Sequence, residues 1–76
     1  MKELLLYIAQ NLVDHPEAVT VTEREEDGEI TLELRVADGD MGKVIGRQGR
    51  IAKEIRTLVK SFAQRSDKRV NVDIVD

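Results

Sequence analysis

The four residues Gly46-Arg47-Gln48-Gly49 constrain this chain more than any other stretch of it. Apolar Val44 and Ile45 lead into them, and Ile51 and Ile55 follow at the spacing of one helix face. The pattern predicts the end of one helix, a tight turn and the start of a second helix. Glycines lack a Cβ, so another backbone can approach the main chain closely. The N–H groups that open the second helix are unpaired, and the helix dipole favours negative charge there. Arg47 and Arg50 add cations at the same spot. A turn of this kind suits a sugar-phosphate backbone. Gly-x-x-Gly alone occurs in many turns, so its meaning comes from its surroundings.

With 76 residues there is room for a single domain, residues 1–76. Hydrophobic residues make up 41% and charged residues 36%, a globular rather than a disordered profile. The absence of cysteine excludes disulfides and thiolate metal sites. The first residues, Met1 to Ile8, include Glu3 and lead to Gln10 and Asn11, which does not fit a signal peptide. No apolar run approaches the ~20 residues that span a bilayer. The expectation is a cytoplasmic protein without membrane contact.

A formal net charge of −3 argues against a nucleic-acid binder until its distribution is considered. From Lys43 to Arg69 there are nine basic residues and two acidic ones, a local +7. The remainder carries three basic and thirteen acidic residues, a local −10. Phosphate responds to the local potential, not to the sum. The chain therefore has one side fit for an anion, and the rest repels it.

Hydrophobic periodicity gives the elements. Leu4, Leu5, Ile8, Ala9, Leu12 and Val13 predict a helix over about 3–14, stopped by Pro16. Alternation predicts strands over about 18–25 and 29–36, joined at Glu26-Asp27-Gly28, where Asp-Gly signals a hairpin. Asp38 or Asp40 is placed to cap a short helix over about 41–45. The longest helix runs over about 50–64, with Ile51, Ile55, Leu58, Val59 and Phe62 as its buried stripe. Val70, Val72 and Ile74 form a last strand. The order α-β-β-α-α-β implies an α+β fold, with a three-stranded sheet covered on one face by three helices.

The run from Gly42 to Arg56, GKVIGRQGRIAKEIR, resembles the signature of KH domains, the RNA-binding family built around a helix–GxxG–helix unit. Length and element order are similar to the small single-domain bacterial KH proteins of the KhpA type. The resemblance covers the whole chain and implies the type II, prokaryotic KH fold. It also implies single-stranded RNA held over about four nucleotides by the loop. It further implies a homodimer, or a heterodimer with a second, larger KH-containing protein, acting as an RNA chaperone or post-transcriptional regulator. The candidate RNA-binding residues are Gly42, Lys43, Val44, Gly46, Arg47, Gln48, Gly49, Arg50 and Lys53. Gly42, Val44 and Ile45 are candidates for the wall of a base groove, with Ile45 the better core candidate of the two apolar residues.

Each candidate has a plainer reading. A glycine can simply end a helix, but that accounts for one glycine and not for two beside a basic helix face. A charged face is usually just solvated, yet of the polar positions on the long helix only Glu54 is acidic. Tyr7 and Phe62 are the only aromatic residues, so stacking on bases is nearly unavailable and sequence preference should be weak. His15 beside Asp14 has no cysteine, second histidine or placed serine to work with, so it reads as a helix-end residue. The acids Glu23, Glu25, Glu26, Asp27 and Glu29 lie in a hairpin without calcium-loop spacing. Gly42-Lys43 is no phosphate-binding P-loop, because Val44 replaces the required Ser or Thr. The expectation is a non-enzymatic module with no metal and no cofactor. The rival reading is a protein-interaction or ribosome-associated scaffold, which the net acidity favours. Arg47 and Gln48 speak against it, since acids there would have repelled phosphate. No residue reads a 2′-hydroxyl, so RNA over DNA rests on the family resemblance.

Overall fold

The computed structural model describes residues 1–75 of the expected single domain; residue 76 lies outside the described residues. Its elements are α1 (Lys2–Gln10), β1 (Thr20–Glu26), β2 (Glu29–Arg35), α2 (Met41–Ile45), α3 (Arg50–Ala63) and β3 (Arg69–Val75). The order is the α-β-β-α-α-β expected from the sequence. The strands lie in the order β1-β2-β3. β1 and β2 pair antiparallel from Thr20↔Arg35 to Glu26↔Glu29. Asp27 and Gly28 join them with φ of 50° and 78°, the positive pair that a type I′ hairpin turn requires. β3 runs parallel to β2, from Glu29↔Arg69 to Arg35↔Val75. Parallel neighbours need a crossover, and α2, the loop and α3 form it.

Alternation in the strands decides which face is covered. Ile30, Leu32, Leu34 and Val36 are buried, as are Val70 and Val72 beside them. They meet Leu5 and Ala9 of α1, Val44 of α2, and Ile55, Val59 and Ala63 of α3 in one core. The other face of the sheet is polar, with Thr22, Arg24, Glu33 and Asp73 among its side chains.

Three expectations change. The first helix ends at Gln10, not near Asp14. Asn11 ends it, accepting no further turn: its Nδ2 donates to the Tyr7 carbonyl at 2.8 Å, and Leu12 N–H closes a tighter turn on Ala9. Pro16 then opens a 3₁₀ turn, Pro16–Ala18, rather than stopping α1. Second, Asp40 makes no side-chain cap on α2. It is 1% exposed and accepts instead from the His15 backbone N–H at 2.9 Å. Third, the buried stripe of α3 is Ala52, Ile55, Val59 and Ala63. This is rotated by about 60° from the expected one on a wheel of 100° per residue. Leu58 and Phe62 are 42% and 48% exposed. Two alanines allow α3 to lie close to the sheet, which turns the larger Leu58 and Phe62 to its flank.

Candidate nucleic-acid interface

The site begins where α2 ends. Gly46 N–H bonds the Gly42 carbonyl at 2.9 Å, and the chain then reverses. Gly46 has φ 75° and ψ 178°, a region essentially closed to residues with a Cβ. A Cβ there would lie 3.0 Å from the Ile51 backbone nitrogen and would overlap the Ile51 side chain. Gly46 is therefore what lets the loop lie against the first turn of α3. Gly49 is different. Its φ is 74°, but a Cβ on it would meet nothing within 4 Å. Between them Gln48 takes the left-handed conformation, φ 55° and ψ 26°, unusual for a residue with a side chain. Gly49 also occupies the cap position of α3, where no side chain bonds the first N–H groups. The loop thus presents an unobstructed main chain and open helix donors on one side.

Arg47, Gln48 and Arg50 line one shallow concavity over this loop. Past it, Lys53, Arg56 and Lys60 fall within ~60° of one another on the α3 wheel. Arg56 points toward β3, with its Nε donating to the Val72 carbonyl at 3.2 Å. Among the described residues, Arg47, Arg50, Lys53, Arg56 and Lys60 have no carboxylate within ion-pair distance. The basic face of the long helix expected from the sequence thus continues past the preferred candidates Arg50 and Lys53 to Arg56 and Lys60.

The remaining candidates divide. Gly42 is exposed, and so is Ile45, at 37%. Val44 is completely buried. The expected roles of Val44 and Ile45 are thus reversed: the Val44 side chain belongs to the core, and Ile45 lies at the surface beside Gly42. Lys43 is exposed but engaged. Its Nζ lies 3.0 Å from Asp14 and 3.8 Å from Asp40. The Asp14 hydrogen bond and charge hold the ammonium above its ordinary pKa.

Asp40 joins this pair to the chain behind it. Burial would raise its carboxyl pKa. The hydrogen bonds from the backbone of His15 and Asp14, with the His15 ring bond and charge, outweigh burial and hold it below the ordinary value. The ring Nδ1 of His15 stands 3.2 Å from Asp40 Oδ2. His15 is therefore part of a tie between the α1–β1 linker and the start of α2, not the helix-end residue expected from the sequence.

A family model described as KhpA/KhpB, KH domain, matches residues 2–74. The chain belongs to the KhpA/KhpB KH-domain family. Relatives span its whole length. The RNA-binding protein KhpA of Listeria monocytogenes is 50% identical over 76 residues, covering all of both chains. That of Clostridium acetobutylicum is 56% identical over 75 residues, 99% of this chain and 100% of the relative. That of Chlamydia muridarum is 49% identical over 76 residues, 100% of this chain and 97% of the relative. Among solved structures, the fold is similar to Era in complex with MgGDPNP and nucleotides 1506–1542 of 16S ribosomal RNA. The TM-score there is 0.69, with 20% identity and 96% of this chain covered. It is likewise similar to Aquifex aeolicus Era bound to GDP.AlF4-, at a TM-score of 0.66, 19% identity and 96% coverage. This chain spans 28% of each Era chain, so that likeness concerns the fold of one part of Era. The fold is α+β, the type II KH arrangement expected for the family.

The two loop glycines should respond differently to alanine. Gly46→Ala combines closed backbone space with crowding against Ile51, for an expected loss of about 3 kcal/mol in urea unfolding. Gly49→Ala meets only left-handed strain, about 1 kcal/mol. Equal losses would mean that Ile51 does not decide the loop.

The Asp40 tie should depend on pH. Its folded-state pKa lies below its unfolded value, so its stabilisation is present above the unfolded value and lost as pH falls through the folded one. Asp40→Asn should therefore lower the thermal midpoint at neutral pH. The gap to wild type should close below the usual aspartate range. A gap that persists unchanged into strong acid would show that the carboxylate charge is not what holds the linker.

Proposed function

We propose that this chain is a non-enzymatic RNA-binding protein that clamps a short single-stranded segment on the Gly46–Gly49 loop. The observation that carries the reading is the open loop backbone at Gly49, set beside cations that have no carboxylate partner among the described residues. A free cation loses nothing in turning to a phosphate, whereas a paired one must first give up its partner. Arg47, Arg50 and Lys53 are in the first state, and Lys43 is in the second. Lys43 therefore contributes less than its place in the motif suggests. The loop and the first N–H groups of α3 hold the sugar-phosphate backbone of about four nucleotides. Exposed Gly42 and Ile45 offer a base one small apolar wall. The relatives' name, RNA-binding protein, supports RNA as the ligand.

A four-nucleotide footprint gives modest affinity, and pairing two such domains raises it through effective concentration. The assembly we propose is a homodimer, or a heterodimer with a second KH-containing protein. The exposed Leu58 and Phe62, together on one flank of α3, support that flank as the contact. The role that follows is that of an RNA chaperone or post-transcriptional regulator in the cytoplasm. Among the described residues no helix is long and apolar enough to cross a membrane.

Fluorescence anisotropy with labelled single-stranded RNA tests the clamp. Wild type should bind, and weaken as salt rises. Arg47→Asp with Gln48→Asp should abolish binding with an unchanged circular dichroism spectrum. Equal binding by both proteins would remove the loop from the site and favour the scaffold reading. For the assembly, sedimentation velocity should show wild type as a dimer and Leu58→Glu as a folded monomer. A wild type that sediments as a monomer at every concentration would exclude the homodimer.

A further inference from the structure

Arg56 is a cation that the phosphate clamp does not use. The Nε–Val72 bond, partly buried, ties its guanidinium to the edge strand. A guanidinium is planar, with its N–H groups in a fixed fork, so one bond at Nε fixes where the two terminal nitrogens aim. Those nitrogens have no carboxylate within ion-pair distance among the described residues. Along the helix axis Arg56 stands about 10 Å from Gly49, within the span of a strand held on the loop.

The surroundings are not those of a phosphate site. Arg56 and Lys60 share a concavity with Asn71, Val72, Glu29 and Asp73. Two carboxylates there oppose a phosphate. They suit a group that is acceptor on one side and donor on another, which describes a nucleobase. A fork needs two adjacent acceptors. Guanine offers them as O6 and N7, cytosine as O2 and N3, and each also carries an amino group that a carboxylate can take. Adenine and uracil alternate donors with acceptors and do not match the fork.

We propose that Arg56 is a specificity-determining residue. It reads a guanine or cytosine of the bound strand by a bidentate pair of hydrogen bonds, with Asp73 or Glu29 accepting from the base amino group. This rests on the clamp reading. It also gives a base preference to a chain whose only aromatic residues are Tyr7 and Phe62.

The test uses labelled oligouridine strands that carry a single A, C or G at each position in turn. They are titrated by anisotropy against wild type and Arg56→Lys. Lysine keeps the charge and can still reach the Val72 carbonyl, but it has no fork. Wild type should prefer strands with G or C at one position by about tenfold, and the two arms identify which base. Arg56→Lys should erase the preference and leave affinity for plain oligouridine nearly unchanged, with the same circular dichroism spectrum. The proposal is overturned if wild type binds all strands alike, or if Arg56→Lys keeps the preference. It is equally overturned if Arg56→Lys weakens every strand by the same factor, which would make Arg56 a phosphate contact. If wild type binds no strand at all, the clamp reading falls and this one falls with it.

Discussion

The close approach of Gly46 to Ile51 is the contact on which the loop end of this molecule depends. An α2 of five residues is too short to hold a position by its own hydrogen bonds. It is held by Val44, completely buried, and by the loop lying against α3. Any side chain at position 46 would push the loop away from Ile51, and the crossover between the parallel strands would have to open. The two glycines of the motif therefore have separate reasons to be glycine. Gly46 is needed by the fold. Gly49 borders open space, and its backbone can be covered by something from outside.

The second constraint is how α3 lies on the sheet. Ala52 and Ala63 in the buried stripe bring the helix close. One flank carries Lys53, Arg56 and Lys60, and the Arg56–Val72 bond shows that this flank faces β3. The other flank carries Leu58 and Phe62, partly exposed. Arg50 and Lys53 share one concavity with Thr57 and Leu58, so the basic and apolar surfaces adjoin along the outer face of the helix.

Much of this was legible in the sequence, and the exceptions have physical causes. Strands alternate with a period of two, so β2 could be assigned by face without ambiguity, and Asp27-Gly28 fixed its register. The KH-type turn was legible because apolar residues at helical spacing, Val44 and Ile45 before it and Ile51 and Ile55 after it, bracket its two glycines. The α3 stripe was misjudged because large apolar residues weigh more than alanine in any periodicity, although close packing selects the small ones. Val44 and Ile45 were exchanged for a related reason: a five-residue helix shows too little of its period to tell neighbours apart. Asp40 was beyond reach. Its role depends on the His15 backbone, 25 residues away in sequence, and a backbone N–H leaves no trace in the residue type.

The arrangement of ion pairs also resolves the conflict between an acidic chain and an anionic ligand. Surface charges act over about 8 Å in physiological salt, so each cation responds to its immediate neighbours and hardly at all to the net −3. Arg24 is neighboured by Glu33, Lys68 by Glu25 and Lys43 by Asp14. Those cations lie outside the loop and the β3-facing flank of α3. The carboxylates thus do more than lower the net charge. They neutralise Arg24, Lys68 and Lys43, whereas among the described residues Arg47, Arg50 and Lys53 keep no carboxylate partner, and neither do Lys2, Arg35, Arg65 and Arg69 elsewhere on the chain. What sets Arg47, Arg50 and Lys53 apart is the open main chain of the loop beside them, where a phosphate also meets N–H donors. Orientation on the protein is in this way set by which cations adjoin open backbone donors as much as by which are present.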